Sequence, residues 1–432
     1  MFSGFISAFR TPDLRKKLLL TLGIIAIYRL GVAIPTPGVS YENVQFCASS
    51  TKGNSALDIL NLFAGGALLH LSIFALGIMP YITASIIVQL LRVLIPRFET
   101  LYREGQEGQA KLTQYTRYIT VGFAALQSAA YVTMARNGAF FPGCSQPIIP
   151  DESWQTISLM VLTMTAGTVF VMWLGERITE RGVGNGMSLL IFTSIAAAFP
   201  QNISAIWRSS NGPVNTLLLA LLLLVVIAVV VFVEQSQRRI PVQYAKRVVG
   251  RRTLGGSSTY IPLKINMAGV IPVIFASSLL TLPQVIAQFS GPDPAGWVVW
   301  MKDNIADPKS PWHMLLYILL IIFFAYFYTA ITFNPDQVAD DMKKYGGFIP
   351  GIRPGKPTAD FLEYVLSRIT AAGSLYLALV ALAPMLAFVL MGVSTNIPFG
   401  GTSILILVGV GLDTVKRIQS QLEQRHYEGF LK

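Results

Sequence analysis

Ten apolar runs dominate the chain, near residues 18–34, 73–91, 118–135, 155–174, 187–206, 214–233, 267–288, 313–333, 369–391 and 401–415. About 20 helical residues cross a hydrocarbon core, so most of these runs have the length of one crossing. The last is short, but an amphipathic continuation through Thr414 to Leu422 lengthens it. The first leads into Arg29-Leu30-Gly31 and Ile34-Pro35-Thr36-Pro37-Gly38, with no small-residue cleavage site, and is expected to be a retained span. Composition points the same way: 53% of the 432 residues are hydrophobic and 13% charged, where soluble domains carry about 25% charged residues. Soluble domains, intrinsic disorder, a disulfide scaffold and a nucleic-acid-binding module are disfavoured, and no direct DNA binding is expected. The expected fold class is an all-α integral membrane protein with ten transmembrane helices.

Charge placement orients the chain. With the N-terminus inside, 27 of the 33 lysines and arginines fall on inside segments. Only Lys52, Arg136, Arg208, Lys302 and Lys309 fall outside, and Arg29 lies within a span. Inside loops of multi-pass proteins carry this excess, so both termini are expected on the inner side. The 234–264 loop concentrates Arg238, Arg239, Lys246, Arg247, Arg251, Arg252 and Lys264 against a single acid, Glu234. That density makes a landing site for anionic lipid, RNA or an acidic protein.

A repeat divides the chain. Gly77 to Ser85 and Gly269 to Ser277 share the pattern G-x-x-P-x-I-x-A-S, 192 residues apart. They belong to the second span of each five-span set, so the second copy runs through the membrane in the opposite sense. Two inverted halves, 1–212 and 213–432, are therefore expected, with the functional axis between them. Gly and Pro in such segments break the helix and permit close approach, which is tolerated where the freed groups meet protein or water. Just before the first copy, residues 57–72 are apolar but too short to cross, and Gly65-Gly66 interrupts them. Two expectations stand for this segment: an interfacial helix, or a re-entrant stopper of a central cavity.

Catalytic and ion-relay chemistry have no visible residues. No acidic residue sits in the middle of a span, and Arg29 can reach an end by snorkelling. His70, His313 and His426 lie in unrelated segments, and no metal motif is present. Gly351 to Lys356 has the wrong spacing for a phosphate loop, and Gly182 to Gly186 reads as a tight turn. No catalytic residue, metal or cofactor is expected, and the chain is not expected to be an enzyme. The polar groups near the repeats are mild: Thr83, Ser85, Gln89, Asn266, Ser277 and Ser278, with Asn266 placed to cap a helix. Cys47 and Cys144 both fall in outside loops, where a bridge is chemically permitted. An inverted-repeat solute transporter or lipid flippase is the alternative; it predicts polar or charged ligands at the midplane.

Several longer motifs carry a resemblance. They are Tyr28 to Gly31 with Ile34 to Gly38, Phe74 to Gln89, Gln114 to Tyr118, Trp173 to Ser188, Pro262 to Ser278, Phe348 to Gly355 and Phe399 to Ser403. On these, the chain resembles the SecY family, the channel subunits of the bacterial Sec protein translocase, over nearly its whole length. The resemblance implies an hourglass channel in the cytoplasmic (inner) membrane, both termini cytoplasmic. It passes unfolded secretory polypeptides and releases signal sequences and membrane spans sideways into lipid. It favours a plug at 57–72, including Phe63, Gly65, Gly66, Leu68 and His70. It implies a pore ring of Ile78, Ile82, Met187, Ile191, Ile274 and Ile406; Met187 stands where an isoleucine is expected. Thr83, Gln89 and Asn266 match positions at a lateral gate between spans 2–3 and 7–8. Lys246, Arg247, Arg251, Arg252 and Arg353 match surfaces that dock the SecA motor ATPase and the ribosome. SecE and SecG, signal-sequence-bearing polypeptides and anionic lipid are the further partners implied.

Overall fold

Each of the ten apolar runs coincides with a helix. The computed structural model describes residues 11–50, 61, 64–138, 140, 141, 144, 146–207, 212–244, 247–249, 252–254, 258–289, 296–306, 310–390 and 401–429. The helices of the first half are α1 (Pro12–Ala33), α2 (Tyr41–Ser50), α3 (Met79–Leu94), α4 (Pro96–Arg103), α5 (Gln106–Arg136), α6 (Trp154–Arg181) and α7 (Gly186–Trp207). The second half contributes α8 (Gly212–Gln235), α9 (Ile271–Phe289), α10 (Gly296–Met301), α11 (Pro311–Thr332), α12 (Pro335–Lys344), α13 (Lys356–Leu390) and α14 (Gly401–Gly429). Among the described residues, five stretches are individually long and apolar enough to cross a membrane: Gln106–Arg136, Trp154–Arg181, Leu217–Gln235, Pro311–Lys344 and Lys356–Leu386. The pair α3 and α4 would make a sixth, bent by 101° where Ile95 is extended ahead of Pro96, as a residue before proline prefers. The chain is a helical, multi-pass membrane protein.

The repeat is visible in the backbone. Gly77 and Gly269 both adopt the left-handed conformation, with φ of 56° and 62°, which glycine reaches without steric cost. Two residues later a helix begins in each copy, at Met79 and at Ile271. Pro80 and Pro272 therefore fall in the first turn, where the missing N–H costs nothing. The second apolar run thus enters its helix six residues later than its hydropathy suggested, because residues 73–78 are turns.

Within the first half α3 packs on α5, α5 on α6 and α6 on α7; within the second α9 packs on α11, α11 on α13 and α13 on α14. The two sets meet along two seams. On one, α9 lies against α3 and α5; on the other, α7 lies against α8 and α14. One apolar core fills the space between them, and it includes Ile78, Ile82, Ile191, Ile274, Phe275 and Ile406.

One element departs from the all-α expectation. The basic 234–264 loop is an antiparallel ribbon of β1 (Gln237–Tyr244) and β4 (Ser258–Lys264), with β2 (Arg247–Val249) and β3 (Arg252–Leu254) paired between them. β5 (Gly347–Phe348) adds to β1 at Gln243 and Tyr244. Ile240, Val242 and Leu263 turn one face onto Met342, Ile349, Leu362 and Val365. That burial explains the strands: the alternating aliphatic residues have a partner surface supplied by the second basic loop, residues 334–368, which carries Lys343, Lys344, Arg353, Lys356 and Arg368. The two loops are thus one small unit with its own core.

Cys47 and Cys144 form a disulfide with a Cα–Cα distance of 5.6 Å. It fastens α2, which leads toward the 57–72 segment, to the loop between α5 and α6. Asn43 reinforces the join by donating to the Pro147 carbonyl at 2.8 Å. The bridge closes 97 residues of sequence, so Cys144→Ser is expected to lower stability by about 2–4 kcal/mol. Thermal unfolding in detergent, with and without reductant, checks this; a reductant-insensitive midpoint in the parent protein would contradict it.

Candidate functional site

The six residues expected to ring a pore come from four elements whose entries into the core are set by the repeat and by small residues. Ile78 precedes α3 and Ile82 lies in its first turn; Ile274 lies in the first turn of α9, at the position equivalent to Ile82. Met187 and Ile191 face inward from the start of α7, and Ile406 from α14. Ile78, Ile82, Ile191, Ile274 and Ile406 are each less than 10% exposed. Met187 is half-buried and packs against the same core, its thioether fitting over Gly175, where a Cβ would collide with it. A cavity of about 430 Å³ is bounded by Ile82, Met187, Ile191 and Ile274 together with polar Ser85, Gln89, Thr179 and Ser188. The structure therefore brings four of the six to one cavity. Ile78 and Ile406 sit in the adjoining core, outside that lining. One wall of the cavity is thus aliphatic, and the remaining lining carries polar and charged groups that include Arg117, Glu176 and Glu180.

The plug candidates occupy a run of turns over residues 64–78. Gly65 and Gly66 are left-handed, with φ of 68° and 93°, and Leu68 is buried. His70 is exposed and lies against the Tyr41 ring. Phe63 lies outside the described residues. The end of the segment is fastened to the Ile34 to Pro37 motif: Thr36 N–H donates to Leu71 at 3.0 Å, and Ile73 N–H to Ile34 at 3.0 Å. Phe74 stacks between Tyr28 and Phe170, and Gly167 leaves room for the Ile73 carbonyl.

The three gate candidates are not linked to one another by any hydrogen bond among the described residues. Thr83 donates to the Met79 carbonyl of its own helix at 3.1 Å. Gln89 donates to Ser85 Oγ at 3.4 Å, and its buried carbonyl oxygen has no hydrogen-bond partner. Asn266, only 4% exposed, donates to Glu234 Oε1 at 2.6 Å and to the Gly269 carbonyl at 3.0 Å. It thus ties the end of α8 to the left-handed turn that starts α9, and Lys416 Nζ caps the Glu234 carbonyl at 3.2 Å. Glu234→Ala would strand a buried amide, at a cost of about 1–3 kcal/mol. Glu234→Gln keeps an acceptor and is expected to recover most of that loss; equal midpoints for the two variants in thermal unfolding would contradict this.

Two groups were not singled out by the sequence. Glu234 counted only as the lone acid of a basic loop. Arg117, in the Gln114 to Tyr118 motif, makes a bidentate pair with Glu176, at 2.9 and 2.8 Å, and also donates to Gln114 at 3.1 Å. This planar fork joins α5 to α6 and lines the 430 Å³ cavity.

On the docking side, Lys246 and Arg251 lie outside the described residues. Arg247 and Arg252 belong to the β2–β3 pair, opposite Leu254 and Val249 respectively. Arg353 is exposed on a loop between Gly351 and Gly355, both left-handed. Thr358 pins that loop by donating to the Arg353 carbonyl at 2.8 Å.

Comparison with known proteins identifies the family and the fold. The family model described as SecY matches residues 72–415. A protein translocase subunit SecY from Streptomyces scabiei is 62% identical over 441 residues, covering all of both chains. A protein of the same description from Mycobacterium bovis is 57% identical over 443 residues, again covering all of both. Among solved structures, one described as the structure of a protein conducting channel superposes with a TM-score of 0.61 at 18% identity, over 94% of this chain and 91% of that one. The idle yeast Ssh1 complex bound to the yeast 80S ribosome matches at 0.63 and 16%, over 94% and 89%. At these identities the structures speak for the fold alone.

Proposed function

The chain belongs to the SecY family, and we propose that it works as the pore of a Sec translocase, carrying unfolded secretory polypeptides through its waist. It is a protein-conducting translocation channel. Ten spans in two inverted halves, 1–212 and 213–432, lie in the cytoplasmic membrane with both termini inside. The clustering of Ile82, Met187, Ile191 and Ile274 on one cavity carries the assignment. Aliphatic side chains seal by excluding water, and they let an extended chain pass because they offer it nothing to bind. The 64–72 turns fill the space beside the waist as a plug. Signal sequences leave between α3 and α9, where Ile82, Ile271, Ile274 and Phe275 lie beside Ser85 and Gln89, and a hydrophobic segment gains by partitioning into lipid.

The β1–β5 unit supplies the docking face for SecA and the ribosome, with Arg247, Arg252 and Arg353 as its cations. The ribosome-bound fold neighbour supports that use of the inner face. SecE and SecG complete the assembly, and anionic lipid meets the basic inner rim. The solute transporter and flippase alternative needs polar ligands at the waist, where this chain has isoleucines. Motor coupling tests the function. Reconstituted with SecE, SecG and SecA, the chain is expected to stimulate ATP hydrolysis only when a secretory polypeptide is present. Stimulation by a small solute, or none by the polypeptide, would overturn the assignment.

A further inference from the structure

We propose, on the channel function given above, that Arg29 is the positioning residue that seats the plug: its guanidinium holds the Gly65 turn against α1 and α7 when the channel is closed. Arg29 is the one lysine or arginine lying within an apolar run, and it sits toward the outer end of α1. A cation there is unfavourable in lipid, and the topology does not need it, because lysine and arginine mark the opposite side.

The geometry supplies the reason for its presence. Arg29 Nη1 donates to the Gly65 carbonyl at 3.0 Å, and that carbonyl accepts no backbone hydrogen bond among the described residues. A Cβ on Gly65 would lie 3.1 Å from Nη1 and 3.2 Å from Ser194 Cα. The turn thus rests directly on the guanidinium and on α7. One residue earlier, Tyr28 shares a 2.7 Å hydrogen bond with Ser194, so α1 and α7 are tied at the level where the turn sits. A hydrogen bond from a charged donor is about twice as strong as a neutral one. It breaks without residue when the turn leaves, because the freed guanidinium then meets the water of the open channel.

The test uses the full chain with its membrane partners in proteoliposomes loaded with potassium chloride. Arg29→Met removes the donor and keeps much of the volume. It is expected to raise resting chloride efflux about tenfold and to admit precursors with a deleted signal sequence, with Arg29→Lys in between. Gly65→Ala attacks the same contact from the plug side and is expected to leak to a similar degree. The double variant should leak no more than the worse single one. Ile82→Asn serves as the reference leak. Parental efflux in both Arg29→Met and Gly65→Ala, while Ile82→Asn leaks, would overturn the seating role and leave the pore intact. Parental efflux in all three would instead overturn the pore assignment. Should Arg29→Met fail to assemble, Gly65→Ala alone decides: parental efflux and strict signal dependence in it would overturn the role.

Discussion

Ile82→Asn is expected to raise the ion conductance of the resting channel by one to two orders of magnitude. Ile82 is 7% exposed, in the first turn of α3, and bounds the cavity beneath the waist. Dewetting depends on every face of the ring being apolar. Burial of one isoleucine side chain is worth about 1.5–3 kcal/mol, and each 1.4 kcal/mol changes a population about tenfold. Asparagine replaces that apolar face with a hydrated amide, so the wetted state gains by roughly that amount. Its repeat mate Ile274 occupies the equivalent turn of α9, and Ile274→Asn is expected to leak in the same direction. Efflux from proteoliposomes checks both, and parental conductance in both variants would remove these positions from the seal.

Arg353→Glu is expected to cut motor-driven export by more than about tenfold while leaving assembly and resting conductance unchanged. The side chain is exposed, so nothing inside the protein depends on it. Its backbone, in contrast, is held rigidly by Thr358 and by the turn from Ile349 to Ile352, and the buried side chain of Ile349 anchors that turn in the small sheet core. A cation presented this way loses little freedom on binding, and truncating a charge that becomes buried at an interface costs about 2–5 kcal/mol. Arg353→Lys keeps the charge without the planar fork and is expected to fall between parent and reversal. Export of a secretory precursor into inverted vesicles measures the effect. Parental export by the reversal would contradict the docking role.

Legibility in the sequence followed the length scale of the signal. The helices were plain because an apolar run of about 20 residues has few other outcomes in lipid. The sequence repeat was plain because Gly77 and Gly269 each need a left-handed turn ahead of a first-turn proline, and that need leaves a fixed four-residue mark. The β ribbon was hidden. Ile240 and Val242 flank Pro241, and Ile261 and Leu263 flank Pro262; proline in a short run crowded by cations argues against a strand. Its reason for folding, the face formed by Met342, Leu362 and Val365, lies about a hundred residues away. Asn266 was legible as a helix-start group, yet its strongest partner, Glu234, comes from another helix, 32 residues earlier. Arg117 looked like a topology charge because Glu176 is 59 residues distant. Disulfide pairing is the same kind of case: two cysteines on one side permit a bridge, and only the packing of α2 against the 140–153 loop sets it.

Placing a photoreactive residue at Ile82 and stalling a secretory protein halfway across tests the pore most directly. Crosslinks from position 82 to the stalled chain, lost when its signal sequence is deleted, are the expected result. No crosslink, with protease protection showing that the chain is halfway across, would mean that the polypeptide does not pass between Ile82 and Ile274.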